Sequence, residues 1–246
     1  MLGFATELSS YWRSLIRIIY PANCVLCQVP LTLEETYLCD LCVQTIEPLK
    51  PPVCFKCAEP LPPYGFHRSI CSPCRSLRPH YDRGFALVRY QDSTKTIFHQ
   101  IKFQKKLWLL QIFFGLLRNF STSSEIGNYE MIVPIPLDST REWERGFNQA
   151  SVIAKMLERV NRNQTIQVRK ILKKKRKTIP QSQLKRRERL NNLNGVFTLK
   201  KRGQARGKRI LLVDDIFTTG STVNECARIL KEDGAERVDF FTIARS

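Results

Sequence analysis

The chain of 246 residues is 43% hydrophobic and 25% charged, with a formal net charge of +18, which marks a soluble globular protein with a real core and excludes a disordered chain. The charge is concentrated: eleven Lys/Arg face a single acid, Glu188, between Arg169 and Arg189, and six face none between Lys200 and Arg209. Such density fits either a solvated surface or a polyanionic ligand: nucleic acid, pyrophosphate or both.

Residues 1–20 place Leu8, Trp12, Leu15, Ile16 and Ile19 at roughly helical spacing, and Pro21 stops the run. Glu7, Arg13 and Arg17 interrupt it. It therefore reads as an amphipathic helix packed on its own protein, with a membrane-surface helix as the alternative, and not as a signal peptide or membrane span. The expected location is cytoplasmic.

Residues 21–80 form a module of four Cys-x-x-Cys pairs, Cys24/Cys27, Cys39/Cys42, Cys54/Cys57 and Cys71/Cys74. Two thiolates separated by two residues bend round one metal ion, and two such knuckles complete a tetrahedral site, so the spacing predicts two zinc ions. Sequential pairing (24, 27, 39, 42, then 54, 57, 71, 74) is the first arrangement to expect, and an interleaved one the alternative. With four protein ligands per ion neither site is open to water, and the metal folds the module without doing chemistry. His67 lies between the last two knuckles and could replace a cysteine. Cys226, at helical spacing with Val223 and Leu230, reads as a buried small hydrophobe.

Residues 81–246 change in texture. Strands are expected at 83–90, 130–136, 195–199, 208–215 and 237–244, and helices at 93–104, 107–120, 148–160 and 221–234. Apolar strands alternating with helices predict an α/β fold, a parallel sheet covered on both faces. In such sheets ligands bind outside the carboxyl ends of the strands, where the strand order switches.

The stretch "ILLVDDIFTTGST" (210–222) sets Asp214 and Asp215 at one such strand end. Behind them Thr218, Thr219, Gly220, Ser221 and Thr222 run into a helix N-terminus, where free amide N–H groups, hydroxyls and the helix dipole make a phosphate cradle. A phosphate beside carboxylates that face hydroxyl groups or a metal has the shape of a ribose 5-phosphate site. Receiver domains also carry an acid pair after a strand, but near the start of a longer domain. Capping alone explains one acid and one hydroxyl, not two and four.

The same stretch resembles the phosphoribosyl pyrophosphate signature of type I phosphoribosyltransferases, and the chain from about Cys24 onward resembles the ComF competence-protein family. Three further ordered blocks carry that resemblance: "IVPIPLDSTREWERGFNQA" (132–150), "RKTIPQSQL" (176–184) and "ERLNNLNGVF" (188–197). Glu142 and Glu144 depart from the family's more basic forms of the first block.

The resemblance implies a type I phosphoribosyltransferase-like domain after a double zinc-ribbon-like module. In it Asp214 and Asp215 hold the ribose hydroxyls and orient Mg²⁺, and Thr218 to Thr222 bind the 5-phosphate. Arg141, Arg145, Gly146 and Asn148 lie near the pyrophosphate, with Arg145 grouped with the acid pair as catalytic. Residues 173–189 would be a mobile loop, with Lys173, Lys174, Lys175, Arg176, Lys177, Thr178, Gln181 and Arg189 available to the loop's closure or to DNA. The chemistry would be displacement at the anomeric carbon, with the charge of the leaving pyrophosphate spread over Mg²⁺ and cations. No segment reads as a pocket for an acceptor base.

Two functions follow. One is a competence protein of DNA uptake, with a phosphoribosyl pyrophosphate site, single-stranded DNA on its basic segments and a helicase partner. The other is an active phosphoribosyltransferase on an unidentified small-molecule acceptor, unrelated to DNA.

Overall fold

The computed structural model describes residues 22–63, 69–123, 128–161, 166–175 and 195–246. The expected helix of residues 1–20, His67, and Arg176, Lys177, Thr178, Gln181 and Arg189 lie outside the described residues. Two short helices, α1 (Asp40–Gln44) and α2 (Ser72–Leu77), follow cysteines. Then come β1 (Gly84–Arg89), α3 (Asp92–Phe103), a 3-10 helix (Leu107–Phe113), α4 (Phe114–Ser123), β2 (Met131–Pro134), α5 (Ser139–Arg145), α6 (Gln149–Val160), β3 (Gln167–Val168) and β4 (Leu172–Lys174). After the basic segment the chain forms β5 (Phe197–Leu199), β6 (Arg209–Phe217), α7 (Ser221–Glu232) and β7 (Arg237–Arg245).

The chain divides into two compact units, residues 1–47 with 91–112, and residues 48–90 with 113–246. The division assigns one cysteine tetrad to each. In the first unit the Tyr37 and Trp108 rings lie 5.2 Å apart, Gln100 Nε2 donates to the Val25 carbonyl at 3.2 Å, and the Thr45 and Ser93 hydroxyls are 2.6 Å apart.

The second unit is built on one parallel sheet in the order β1-β7-β6-β2-β3. Ile210, Leu211, Leu212 and Val213 at its centre are all fully buried, which is why this strand reads as a continuous apolar run rather than an alternation. Val223, Cys226, Ala227 and Leu230 of α7 join Ile210, Leu212, Val238 and Phe240 in one core. Cys226 is fully buried, and burial pushes its thiol well above the ordinary range.

Three of the expected strands and helices take another form in the structure. Residues 195–199 do not join the sheet; β5 pairs antiparallel with β4 in a separate two-stranded ribbon. No helix between β5 and β6 supplies the crossover a parallel neighbour needs. Residues 107–120 do not form one α-helix but begin as a 3-10 helix, in which Leu110 and Phe113, three apart, are both buried. The strand expected to stop at Asp215 runs on to Phe217, because β7 still pairs with it: Ile216 lies opposite Ala244, and Phe217 opposite Arg245. Among the described residues no helix is long and apolar enough to cross a membrane.

Candidate functional site

The connection leaving β2 leads to β3 on one side of the sheet, whereas α7 leads from β6 to β7 on the other. Strand order therefore switches between β2 and β6, and a crevice opens beyond their carboxyl ends. The last bond between the two strand ends runs from Ile135 N–H to the Val213 carbonyl, 2.9 Å. The next two residues of β6 are Asp214 and Asp215, both partly exposed, with the Asp215 N–H donating to Asp214 Oδ1 at 2.9 Å.

The loop behind them turns on Gly220, which has φ +76° and forms the N-cap of α7. Having no side chain, it leaves the amides of the first helical turn to other partners. The hydroxyls of Thr219 and Ser221 are 2.8 Å apart, and the Ser221 N–H points to Thr219 Oγ1 at 3.4 Å. Hydroxyls and helix-start amides thus converge one turn from the acid pair, as an anion site requires.

The β2 side supplies cations. Asp138 caps α5 by accepting the Thr140 N–H at 3.1 Å, and Gly146 ends it with φ +81°. Arg141 and Arg145 stand one turn apart on this helix and so share a face. Burial pulls the Arg145 guanidinium below its ordinary pKa, and the Asp215 charge opposes that pull. Asn148 is buried: its Nδ2 donates to the Ile135 carbonyl at 3.0 Å and its Oδ1 accepts the Ser151 N–H, so it ties the segment after β2 to the start of α6.

The basic run divides by strand alternation. Lys173 and Lys175 are exposed, whereas Lys174 is partly buried, and burial lowers its pKa against the opposing charge of Asp138. Lys174 also feels Arg141 and lies over the Phe197 ring at 5.9 Å. The return of the segment is fixed by Glu225 of α7, which accepts the Gly195 N–H at 3.1 Å and binds Arg228 at 2.7 and 2.8 Å. Sequence reasoning missed the inward role of Lys174; the signal was the period of two in "ILKKK", read there as loop.

The cysteines assemble in sequence order. Cys24, Cys27, Cys39 and Cys42 form one group and Cys54, Cys57, Cys71 and Cys74 the other, with the sulfurs of each within 4.8 Å of one another. The first knuckle of each tetrad is built to one design. In both, the residue after the second cysteine (Gln28, Ala58) has positive φ and donates to the first cysteine's carbonyl at 2.9 Å. The repeat is visible in "PANCVLCQVPL" and "PPVCFKCAEPL", thirty residues apart. Hydrogen bonds with Cys57 and Cys74 pull the Cys54 thiol far below its ordinary range, and the contact with Cys54 in turn pushes Cys57 up to about 12. Four sulfurs crowded around shared negative charge fit a tetrahedral dication such as zinc.

An acid pair, a hydroxyl-rich loop and facing arginines at the switch point of a parallel sheet define a phosphoribosyltransferase-type domain, here joined to a pair of zinc ribbons. Residues 15–76 match the double zinc ribbon domain family and residues 144–246 the phosphoribosyl transferase domain family. The chain is 29% identical to competence protein F of Haemophilus influenzae, covering 91% of this chain and 97% of that one. It is 30% identical to the DNA utilization protein YhgH of Salmonella typhimurium over 92% and 98% of the two chains, and 28% identical to competence protein ComFC of Bacillus subtilis over 93% and 97%. The chain belongs to the ComF family, the family of these proteins.

Proposed function

We propose that the protein acts in DNA uptake during natural competence, in the cytoplasm, holding phosphoribosyl pyrophosphate at the switch point and single-stranded DNA along its basic segments. The observation that carries the nucleotide reading is the convergence of Asp214 and Asp215 with the Thr218–Thr222 loop, opposite Arg145. Asp214 and Asp215 take the ribose hydroxyls, the loop takes the 5-phosphate, and Arg141, Arg145 and Lys174 face the pyrophosphate. Bound Mg²⁺, oriented by the acid pair, would neutralise pyrophosphate charge. Exposed Lys173 and Lys175, with the neighbouring basic residues, offer their charge to the phosphates of a single strand, and a DNA-uptake helicase is the fitting protein partner. The names of the relatives, two for competence and one for DNA utilization, support the role.

A second reading, phosphoribosyl transfer to a small acceptor, is favoured by one observation: Arg145 and Lys174 are cations held partly out of water, as stabilisation of a leaving group requires. Calorimetry with phosphoribosyl pyrophosphate and Mg²⁺, with and without single-stranded DNA, tests both. Wild type binds, the Asp214→Ala/Asp215→Ala double variant folds but does not, and unchanged binding by the variant would refute the site. Release of pyrophosphate in the absence of DNA would favour the second reading.

A further inference from the structure

Arg245 closes β7, and its guanidinium joins parts of the chain far apart in sequence. Nε donates to the Cys57 carbonyl at 3.1 Å, Nη1 donates to the Thr218 carbonyl at 3.4 Å, and Nη2 pairs with Glu59. The same group lies 4.9 Å from the centre of the Phe217 ring. Only 12% of the side chain is exposed; its bond to Cys57 is partly buried, and its bond to Thr218 lies at the surface.

Each bond lands on or beside a functional element. Cys57 belongs to the second tetrad, and Thr218 opens the hydroxyl loop. Phe217 lies so close beneath Gly220 that a Cβ there would come within 2.4 Å of the ring. A parallel path runs through Tyr81, packed edge-on against Phe217 and Phe240. The Cys54/Cys57 knuckle is seated on the same sheet: the Gly84 N–H donates to the Phe55 carbonyl at 3.2 Å, and a Cβ on Gly84 would lie 2.4 Å from the Lys56 carbonyl.

We infer that Arg245 is a positioning residue for the anion loop, and that through it the second cysteine tetrad and that loop are energetically linked. The inference rests on the reading of Thr218–Thr222 as the 5-phosphate site. A guanidinium satisfies several acceptors at once only if all are in place, since its donors are fixed in one plane. The Cys57 carbonyl keeps its position when Cys54, Cys57, Cys71 and Cys74 are tied to one ion, and loses that restraint when they are not. Linkage is reciprocal: whatever tightens the tetrad tightens the loop, and an anion on the loop raises the tetrad's affinity for metal by the same factor.

The test is hydrogen exchange on the full chain as zinc is withdrawn with a chelator and counted. Amides of 217–222 are compared with those of 238–243 as a reference for global folding. In wild type the loop amides speed up on the order of tenfold while the reference stays protected. In Cys42→Ser, confined to the first tetrad, the loop keeps its protection while the second tetrad holds zinc. In Arg245→Gln the loop exchanges fast from the start and ignores zinc, and Arg245→Lys restores charge but not the response. If Arg245→Gln loses the reference protection, Phe217→Leu is measured in its place and also loses the response. A wild-type loop indifferent to zinc, or a response preserved in these variants, overturns the inference. Calorimetry of zinc-loaded wild type with phosphoribosyl pyrophosphate tests the ligand reading separately: its failure would remove the ligand and leave the exchange result standing.

Discussion

Phe217 and Gly220 approach each other to the point that no residue larger than glycine fits: a Cβ at 220 would stand 2.4 Å from the Phe217 ring, at a backbone φ of +76°. The ring cannot swing away freely, because it stacks on Phe240 at 4.6 Å with 10° between the planes. Gly220→Ala should therefore displace the loop. The expected outcome is a loss of stability of about 1 to 3 kcal/mol in denaturant unfolding and loss of phosphoribosyl pyrophosphate binding in calorimetry. Wild-type affinity in this variant would show that the loop does not hold the phosphate.

Arg145 lies near enough to Asp215 to feel its charge, and in the proposed reading its place after β2 sets it by the pyrophosphate rather than the sugar phosphate. Arg145→Gln should weaken phosphoribosyl pyrophosphate by about 10- to 100-fold, the loss of one charged hydrogen-bonding group. Ribose 5-phosphate, which lacks the pyrophosphate, should bind the variant and wild type alike. Equal losses for both ligands would move Arg145 to the sugar-phosphate side.

Much of this site is legible in the sequence because it is local. The acid pair, the hydroxyl loop and the start of α7 occupy consecutive residues, so strand, turn and helix signals reinforce one another. The cysteine groups are legible for the same reason: spacing within each knuckle fixes the geometry of two ligands. What the sequence hides is assembled across distance. Arg245 meets Cys57 and Thr218 only because β7 lies beside β6, a fact of strand order and not of pattern. β4 and β5 are three residues each, so the period of two in "ILKKK" is faint and the inward turn of Lys174 is hidden in a run of lysines.

That inward turn separates two roles within one charge cluster. Neutralising exposed Lys173 and Lys175 should weaken single-stranded DNA binding and flatten its logarithmic salt slope by about 0.7 for each phosphate no longer neutralised. Lys174→Gln should instead weaken phosphoribosyl pyrophosphate and leave the salt slope for DNA nearly unchanged. Fluorescence anisotropy across a salt series measures the first, calorimetry the second. An unchanged slope after removal of both exposed charges would leave Lys173 and Lys175 as a solvated face.

The two tetrads fit two closed structural sites. Metal analysis of protein purified without added metal should return about two zinc per chain. Strong chelation should release thiols that react with a disulfide reagent in two steps if the tetrads differ in stability. Cys27 is exposed while all four ligands of the second group are more enclosed, so the first tetrad should open first. A folded protein without zinc would refute the metal reading of both groups.

Glu225 gives the fold a defined sensitivity to acid. Burial alone would raise its pKa, but the Arg228 guanidinium and the Gly195 N–H outweigh burial and hold the carboxyl below its ordinary 4.5. A carboxyl with a depressed pKa in the folded state stabilises the fold fully at pH above its unfolded value, and that contribution fades as pH falls through the folded value. The wild type should therefore lose this increment only below about pH 4.5. Glu225→Gln should cost about 1 to 2 kcal/mol at neutral pH, the loss of charged hydrogen bonds. Its stability should then vary less than the wild type's as pH drops below 4.5, and the two should converge in strong acid. Denaturant unfolding at a series of pH values reads this directly. The change should also be felt at the root of the basic segment, because Glu225 holds the amide of Gly195: faster exchange there at neutral pH in the variant is expected, and parallel pH profiles for the two proteins would show that the Arg228–Glu225–Gly195 connection carries no stability.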